Sequence, residues 1–241
     1  MNLAMISNYF KIAFRNLWRN KGFSVINILG LAIGIAICLI IMLFVNNELS
    51  YDRYNKKADR IVRVYFQGDF QGEKMKESNV MPPVAQTMKA DFPEVEEATR
   101  IRDYGIPKLV YDNKLFNEDA FAFVDSNFFQ VFTLPLLQGD ARTALVEPNT
   151  VVITKAVAHK YFGNEDVMGK IISFKDGRNP PLKVTGVIEK VPVNSHFHFD
   201  LFASMASYPE SRNPTWMYSD FYTYLVLQEG YDYKKLEAKL P

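Results

Sequence analysis

The sequence predicts an α+β protein in which one N-terminal transmembrane helix is followed by an extracytoplasmic α+β domain. Three observations predict it. Residues 25–45 are an apolar run whose only ionisable side chain is the thiol of Cys38. After Tyr51 the pattern changes to short apolar strands alternating with short helices. Charge is also split along the chain: residues 1–24 hold Lys11, Arg15, Arg19 and Lys21 and no acid, which leaves 24 basic against 27 acidic residues beyond them.

Composition sets the outer bounds. The chain has 241 residues, of which 48% are apolar and 14% aromatic, enough for a core and against wholesale disorder. A formal net charge of +1 argues against a nucleic-acid-coating protein. A single cysteine excludes an internal disulfide and a cysteine-based zinc site.

The cationic head, residues 1–21, comes first. Leu3, Ile6, Phe10, Ala13, Phe14 and Leu17 recur at three- and four-residue steps, with Lys11, Arg15 and Arg19 on the other side. That pattern predicts a cytoplasmic amphipathic helix lying on an anionic lipid leaflet. Lys11, Arg15, Trp18, Arg19 and Lys21 are its membrane-surface anchors, and Phe23 sits near the headgroups. A basic flank that only enforces topology is the plainer reading, and both can hold together.

The span is placed at residues 22–46. Its 21-residue apolar centre would be about 31 Å long as a helix, close to the hydrocarbon thickness of a bilayer. A buried helix of a soluble domain rarely stays apolar on every face for this length. A cleaved signal peptide has a shorter apolar core ending in small residues, whereas Asn46-Asn47-Glu48-Leu49 follows here. The four preceding cations place the N-terminus in the cytoplasm and the remainder outside it. Gly30 and Gly34 make a G-x-x-x-G step that would let another helix approach closely, although glycine is common in membrane helices generally. Cys38 reads as a small apolar filler. Residues 46–60 contain no glycine or proline, so the helix is expected to continue out of the membrane as a stiff junction that carries motion to the outer domain.

In the body, strands are predicted at 61–67, 95–102, 108–111, 120–124, 151–153, 170–174, 182–189, 199–203 and 221–228. Those at 108–111 and 120–124 are placed around Asn113-Lys114. Pro82-Pro83 opens a helix with Val84, Met88 and Phe92 on one face, and Pro93 stops it. Asp125 is the predicted N-cap of a helix over 126–132, and Thr154 caps another that ends at Gly163. The sequence stops inside an amphipathic helix over 232–240, so the domain is expected to continue beyond it. Residues 47–241 show no linker or internal repeat.

Chemistry-bearing motifs are sparse. Gly163-Asn164-Glu165-Asp166-Val167-Met168-Gly169-Lys170 superficially matches a phosphate loop, but five residues separate the glycines where four are required, and Ile171 replaces the serine or threonine. No cofactor site or metal site is therefore assigned, and no enzyme is expected. His196 and His198 could face one way in an extended segment, but no third ligand is evident, so they read as loop or surface histidines. Aromatic residues at 121–132 and 216–224 could line a cleft, yet core packing explains them more simply.

Several segments together resemble a known family. Phe14-Arg15-Asn16-Leu17-Trp18-Arg19-Asn20-Lys21 with Gly30-Leu31-Ala32-Ile33-Gly34 is similar to the opening of FtsX/MacB-type ABC transporter permeases. Tyr51-Asp52-Arg53-Tyr54, Ala58-Asp59-Arg60-Ile61-Val62-Arg63-Val64, Pro135-Leu136-Leu137-Gln138-Gly139-Asp140 and Tyr161-Phe162-Gly163 continue it. So do Asp166-Val167-Met168-Gly169-Lys170, Val184-Thr185-Gly186-Val187-Ile188 and Asn194-Ser195-His196, with Val167 where the family often has proline. The resemblance spans essentially the whole chain.

The resemblance implies a bacterial inner-membrane permease subunit whose periplasmic core domain, residues 47–241, has two α+β subdomains. The outer parts would be about 47–103 and 216–241, with the inserted subdomain at about 104–215. It also implies a separate ABC ATPase partner that binds ATP, a homodimer or a heterodimer with another permease, and contact with membrane lipid but not nucleic acid. Cytoplasmic ATP hydrolysis would drive periplasmic movements that export or extract antimicrobial peptides, macrolides or lipoproteins. A signal-anchored periplasmic sensor or interaction domain without an ATPase is the alternative, since one span and an α+β body also describe many sensors.

Overall fold

A computed structural model describes residues 3–70, 72–177 and 179–240. The chain divides into two compact units, the first ending at Tyr51 and the second beginning at Asp52.

The first unit is two helices, α1 (Leu3–Arg19) and α2 (Lys21–Leu49). They are separated at Asn20, which leaves helical geometry with φ −116° and ψ 54°. The side chains of Leu3, Ile6 and Phe10 lie outside the described set, while Ala13, Phe14 and Leu17 are exposed. The 29 residues of α2 include none that is buried within the chain. The expected continuation of this helix through residues 46–60 does not occur. α2 stops at Leu49, the chain turns, and Asp52 takes the left-handed region with φ 57°. The stop needs no glycine or proline because other residues hold Asp52, as described below.

The second unit begins with a 3-10 turn at Ala58–Arg60, followed by β1 (Ile61–Val64), β2 (Phe66–Phe70), β3 (Glu73–Glu77) and α3 (Val84–Asp91). Next come β4 (Val95–Asp103), β5 (Lys108–Tyr111), β6 (Lys114–Asn117), β7 (Phe121–Val124) and α4 (Phe128–Val131). β8 (Leu136–Gln138), β9 (Thr150–Thr154), α5 (Lys155–Phe162), β10 (Ile171–Phe174) and β11 (Leu182–Ile188) follow. β12 (Leu201–Ser204), β13 (Tyr222–Leu227) and α6 (Tyr233–Glu237) complete the order.

Eleven strands form one mixed sheet in the order β1-β13-β4-β7-β12-β9-β11-β10-β5-β6, with β8 added on β11, while β2 and β3 form a separate hairpin. The β7–β12 and β9–β11 pairs are parallel and the others antiparallel. The central strands β7, β9 and β12 bury every residue, as strands covered on both faces do. Their alternate side chains enter two separate cores. Phe121, Phe123, Val151, Ile153, Leu201 and Ala203 meet Val157, Tyr161 and Phe162 of α5. On the other face Ala122, Val124, Val152 and Phe202 meet Phe128, Phe129 and Val131 of α4. A third, smaller core joins β13, β4, α3 and α6 through Leu225, Leu227, Val95, Met88 and Leu236.

Several local expectations are corrected. The strand predicted at 61–67 is two, separated at Tyr65, and β3, β6 and β8 were not expected. β5 pairs with β6 and not with 120–124, because Asp112 and Asn113, at φ 48° and 60°, close a two-residue hairpin turn. Asp125 does not cap α4. Its carboxylate accepts from the backbone N–H of Arg100 at 2.8 Å and from the Arg100 guanidinium at 2.9 and 3.0 Å. Thr154 does cap α5, accepting from the Val157 N–H, and Gly163 ends that helix at φ 65°.

Candidate functional site

Lys11, Arg15 and Arg19 of α1 are exposed, as are Ala13, Phe14 and Leu17 beside them, and no acidic residue precedes Glu48. Lys21 Nζ lies 4.8 Å from the centre of the Trp18 ring, a cation–π contact across the α1–α2 break, and Phe14 is 6.3 Å from the same ring. The Ser24 hydroxyl donates back to the Leu17 carbonyl at 3.2 Å. At Gly30 and Gly34 an added Cβ would meet nothing within 4 Å, so this face of α2 is open within the chain.

In the body, residues 52–56 are gripped by two loops. The Asp52 N–H donates to the Asn194 carbonyl at 2.8 Å. The Asp52 carboxylate accepts from the His196 N–H at 3.2 Å, and His196 Nδ1 lies 2.8 Å from its other oxygen. Asn55 donates to the Asp52 carbonyl and accepts from the Thr133 N–H at 2.9 Å. The Lys56 N–H donates to the Thr133 hydroxyl at 2.9 Å, and Tyr54 meets the buried Ser195 hydroxyl at 3.0 Å. These bonds hold Asp52 in the left-handed backbone region, which otherwise costs a non-glycine residue about 1 kcal/mol or more.

His196 also turns Nε2 toward the Tyr224 hydroxyl on β13, 2.6 Å away. Burial, the dominant cause, raises the Tyr224 pKa well above that of a free phenol, so the hydroxyl keeps its proton. A protonated phenol can donate to Nε2 of a neutral imidazole, which leaves Nδ1–H to donate to Asp52. Beside this chain lies a cavity of about 260 Å³ lined by Asp52, Asn55, Arg63, Phe132, His196 and Tyr224, among others. An aspartate–histidine pair is also the base-and-orienter part of many active sites. Here Nε2 lies against the hydroxyl of the buried Tyr224.

Other charged groups are likewise engaged. Arg100, 5% exposed, donates to Asp125 and to the carbonyls of Pro82 and Ser211. Tyr161 donates to the buried Glu118 at 2.6 Å, where Lys160 Nζ also binds at 2.8 Å. Lys170, at the end of the phosphate-loop-like stretch, pairs with Glu165 and the Tyr111 hydroxyl. His198 is exposed, and among the described residues no three His, Cys, Asp or Glu side chains gather around a metal-sized site. Phe121, Phe123, Phe128, Phe132 and Phe221 are core, while Trp216 and Met217 are exposed.

Sequence reasoning singled out Asn194-Ser195-His196 and Tyr51-Asp52-Arg53-Tyr54 as separate stretches, and the structure brings them together. Nothing in spacing joins positions 144 residues apart, and Tyr224 is marked only as part of the strand at 221–228 and of the aromatic stretch 216–224, with no sign of its partner.

Residues 24–241 match the family described as the MacB-like periplasmic core domain. The chain belongs to that family. Three solved structures are similar. A domain described as part of a permease protein from Porphyromonas gingivalis is 27% identical, with a TM-score of 0.67 over 77% of this chain and 80% of that one. The periplasmic region of MacB from Actinobacillus actinomycetemcomitans shares the fold at 19% identity, with a TM-score of 0.54 over 75% of this chain and 80% of that one. The extracellular domain of the ABC-type transporter YknZ from Gram-positive bacteria shares it at 13% identity, with a TM-score of 0.50 over 74% and 87%. No curated protein sequence matches the chain. MacB-like family membership makes this an ABC transporter permease chain with a periplasmic domain, and among the described residues one helix, α2, is long and apolar enough to cross a membrane.

Proposed function

We propose that the chain is the permease subunit of an ABC transporter that turns cytoplasmic ATP hydrolysis by a separate ATPase into movement of its periplasmic domain. Its cargo class is antimicrobial peptides, macrolides or lipoproteins, and the chain itself holds no cofactor. The observation that carries this reading is the sequence of parts: a helix of 29 residues, with no charged side chain between Lys21 and Glu48, precedes a body of the MacB-like periplasmic core family.

Topology supports the same reading. Four cations and no acid precede the span, which supports a cytoplasmic N-terminus, with Lys11, Arg15, Trp18, Arg19 and Lys21 holding α1 to lipid headgroups. Gly30 and Gly34 offer the packing step for a second membrane helix of a homodimer or of another permease. The outer parts are placed at 47–103 and 216–241 and the insert at 104–215; α3, β4, β13 and α6 share the third core, while β4 and β13 also reach the second through Ile101, Tyr224 and Val226.

The test is affinity purification of the full-length protein from its native membrane. An ABC ATPase is expected to come with it, and purification of the chain alone under conditions that preserve other membrane complexes overturns the reading.

A further inference from the structure

We propose that Asp52, His196 and Tyr224 form a serial tether, and that His196 is the positioning residue that passes displacement arriving at Asp52 to strand β13. The inference rests on the permease reading above and adds the route within the body. Asp52 is the first residue of the second unit, and His196 takes it by two separate atoms, its backbone N–H and ring Nδ1. The same ring ends 2.6 Å from the hydroxyl of Tyr224.

Tyr224 is a firm point of attachment. It is 4% exposed and sits on a strand that pairs with both β1 and β4. His196 is exposed, and Phe132, Phe197 and Tyr224 flank its imidazole with ring centres 6.1, 5.0 and 5.2 Å away. A turn without such a tether would absorb displacement by rotating its backbone dihedrals. The left-handed φ of Asp52 shows that the local chain is held away from its own preference. The tether therefore replaces the continuous helix that residues 46–60 do not form.

Spin labels at the exposed positions Arg53 and Lys114 of the full-length chain, in nanodiscs with its co-purified ATPase, test the tether without a known cargo. In the parent protein the distance between labels is expected to stay the same with and without ATP, because both ends move as one body. Tyr224→Phe removes the ring's bond to β13, and His196→Ala removes both ring bonds while keeping the backbone N–H to Asp52. Each is expected to at least double the width of the distance distribution when ATP is added, with ATPase rate and melting temperature held.

The double variant should be no worse than His196→Ala alone, since links in series fail together. Tyr224→Phe is nearly isosteric and serves if His196→Ala does not fold. ATP-independent distances in both variants, or additive effects in the double variant, overturn the tether. A parent chain that brings down no ATPase overturns the permease reading itself before any variant is compared, and this proposal with it.

Discussion

Helix α2 and strands β7, β9 and β12 are both built of apolar residues, yet α2 buries none of them within the chain and the strands bury all. The difference shows that apolarity alone does not define a core. In the strands, four- or five-residue runs send alternate side chains to opposite faces, and α4 and α5 are there to receive them. In α2 the apolar surface runs all the way round, with hydrogen bonds satisfied inside the helix, so its natural surroundings are lipid. The two regions should therefore fail independently, and perturbing either one tests the contrast.

The largest effect is expected from Phe121→Ala. Phe121 is fully buried and packs edge-on against Phe123 and Phe174 at 5.4 and 5.8 Å. Its loss should destabilise the body by about 3–5 kcal/mol, seen as a lower melting temperature with membrane retention unchanged. Ile35→Arg, at the centre of the span, is the converse: a cost of about 2.5–3.5 kcal/mol against insertion. Carbonate washing should then release the protein while the body melts as before. A single variant that loses both properties would break the comparison.

Smaller perturbations sharpen it within the body. Thr154→Ala removes the cap of α5 and a 3.0 Å bond to Asp200, and should lower stability by about 1 kcal/mol in thermal melts. The smallest effect concerns Glu94. The Lys239 ammonium bonded at 2.6 Å, the leading cause, holds the Glu94 carboxyl below its ordinary range, and the same bond raises Lys239. The carboxylate's contribution is therefore complete above the ordinary glutamate range and disappears as pH falls through the lowered folded value. That of Lys239 is complete below the ordinary lysine range and disappears as pH rises through the raised one. Glu94→Gln should narrow its gap to the parent protein at both extremes of pH, and parallel melting curves across pH would contradict this.

Much of the architecture was legible because its causes are local. Thr154 and Gly163 bracket α5 by capping chemistry, and the runs at 108–111 and 182–189 carry enough β-branched and apolar residues to be recognised as strands. The errors share a different cause. Asp125 looks like a cap until Arg100, distant in sequence, claims its carboxylate. Residues 46–60 read as helix until Asn194 and His196 take hold of Asp52. β6 was overlooked because its sequence, KLFN, is polar at both ends and becomes a strand only as the partner of β5. The contacts among Asp52, His196 and Tyr224 are hidden from sequence for the same reason, since the three lie on three separate stretches of chain.

The sheet order also fixes a timetable. Among the described strands β1 is made first and β13 last, yet Ile61 pairs with Val226 at the sheet's outer end. At bacterial synthesis speeds the first strand waits on the order of ten seconds for its neighbour to emerge. During that interval the nascent chain is already fastened to the bilayer, with an unmatched edge exposed to every other unfinished copy nearby. An early-arriving chaperone, or the short length and the central arginine of β1 itself, has to keep that edge from pairing with a stranger.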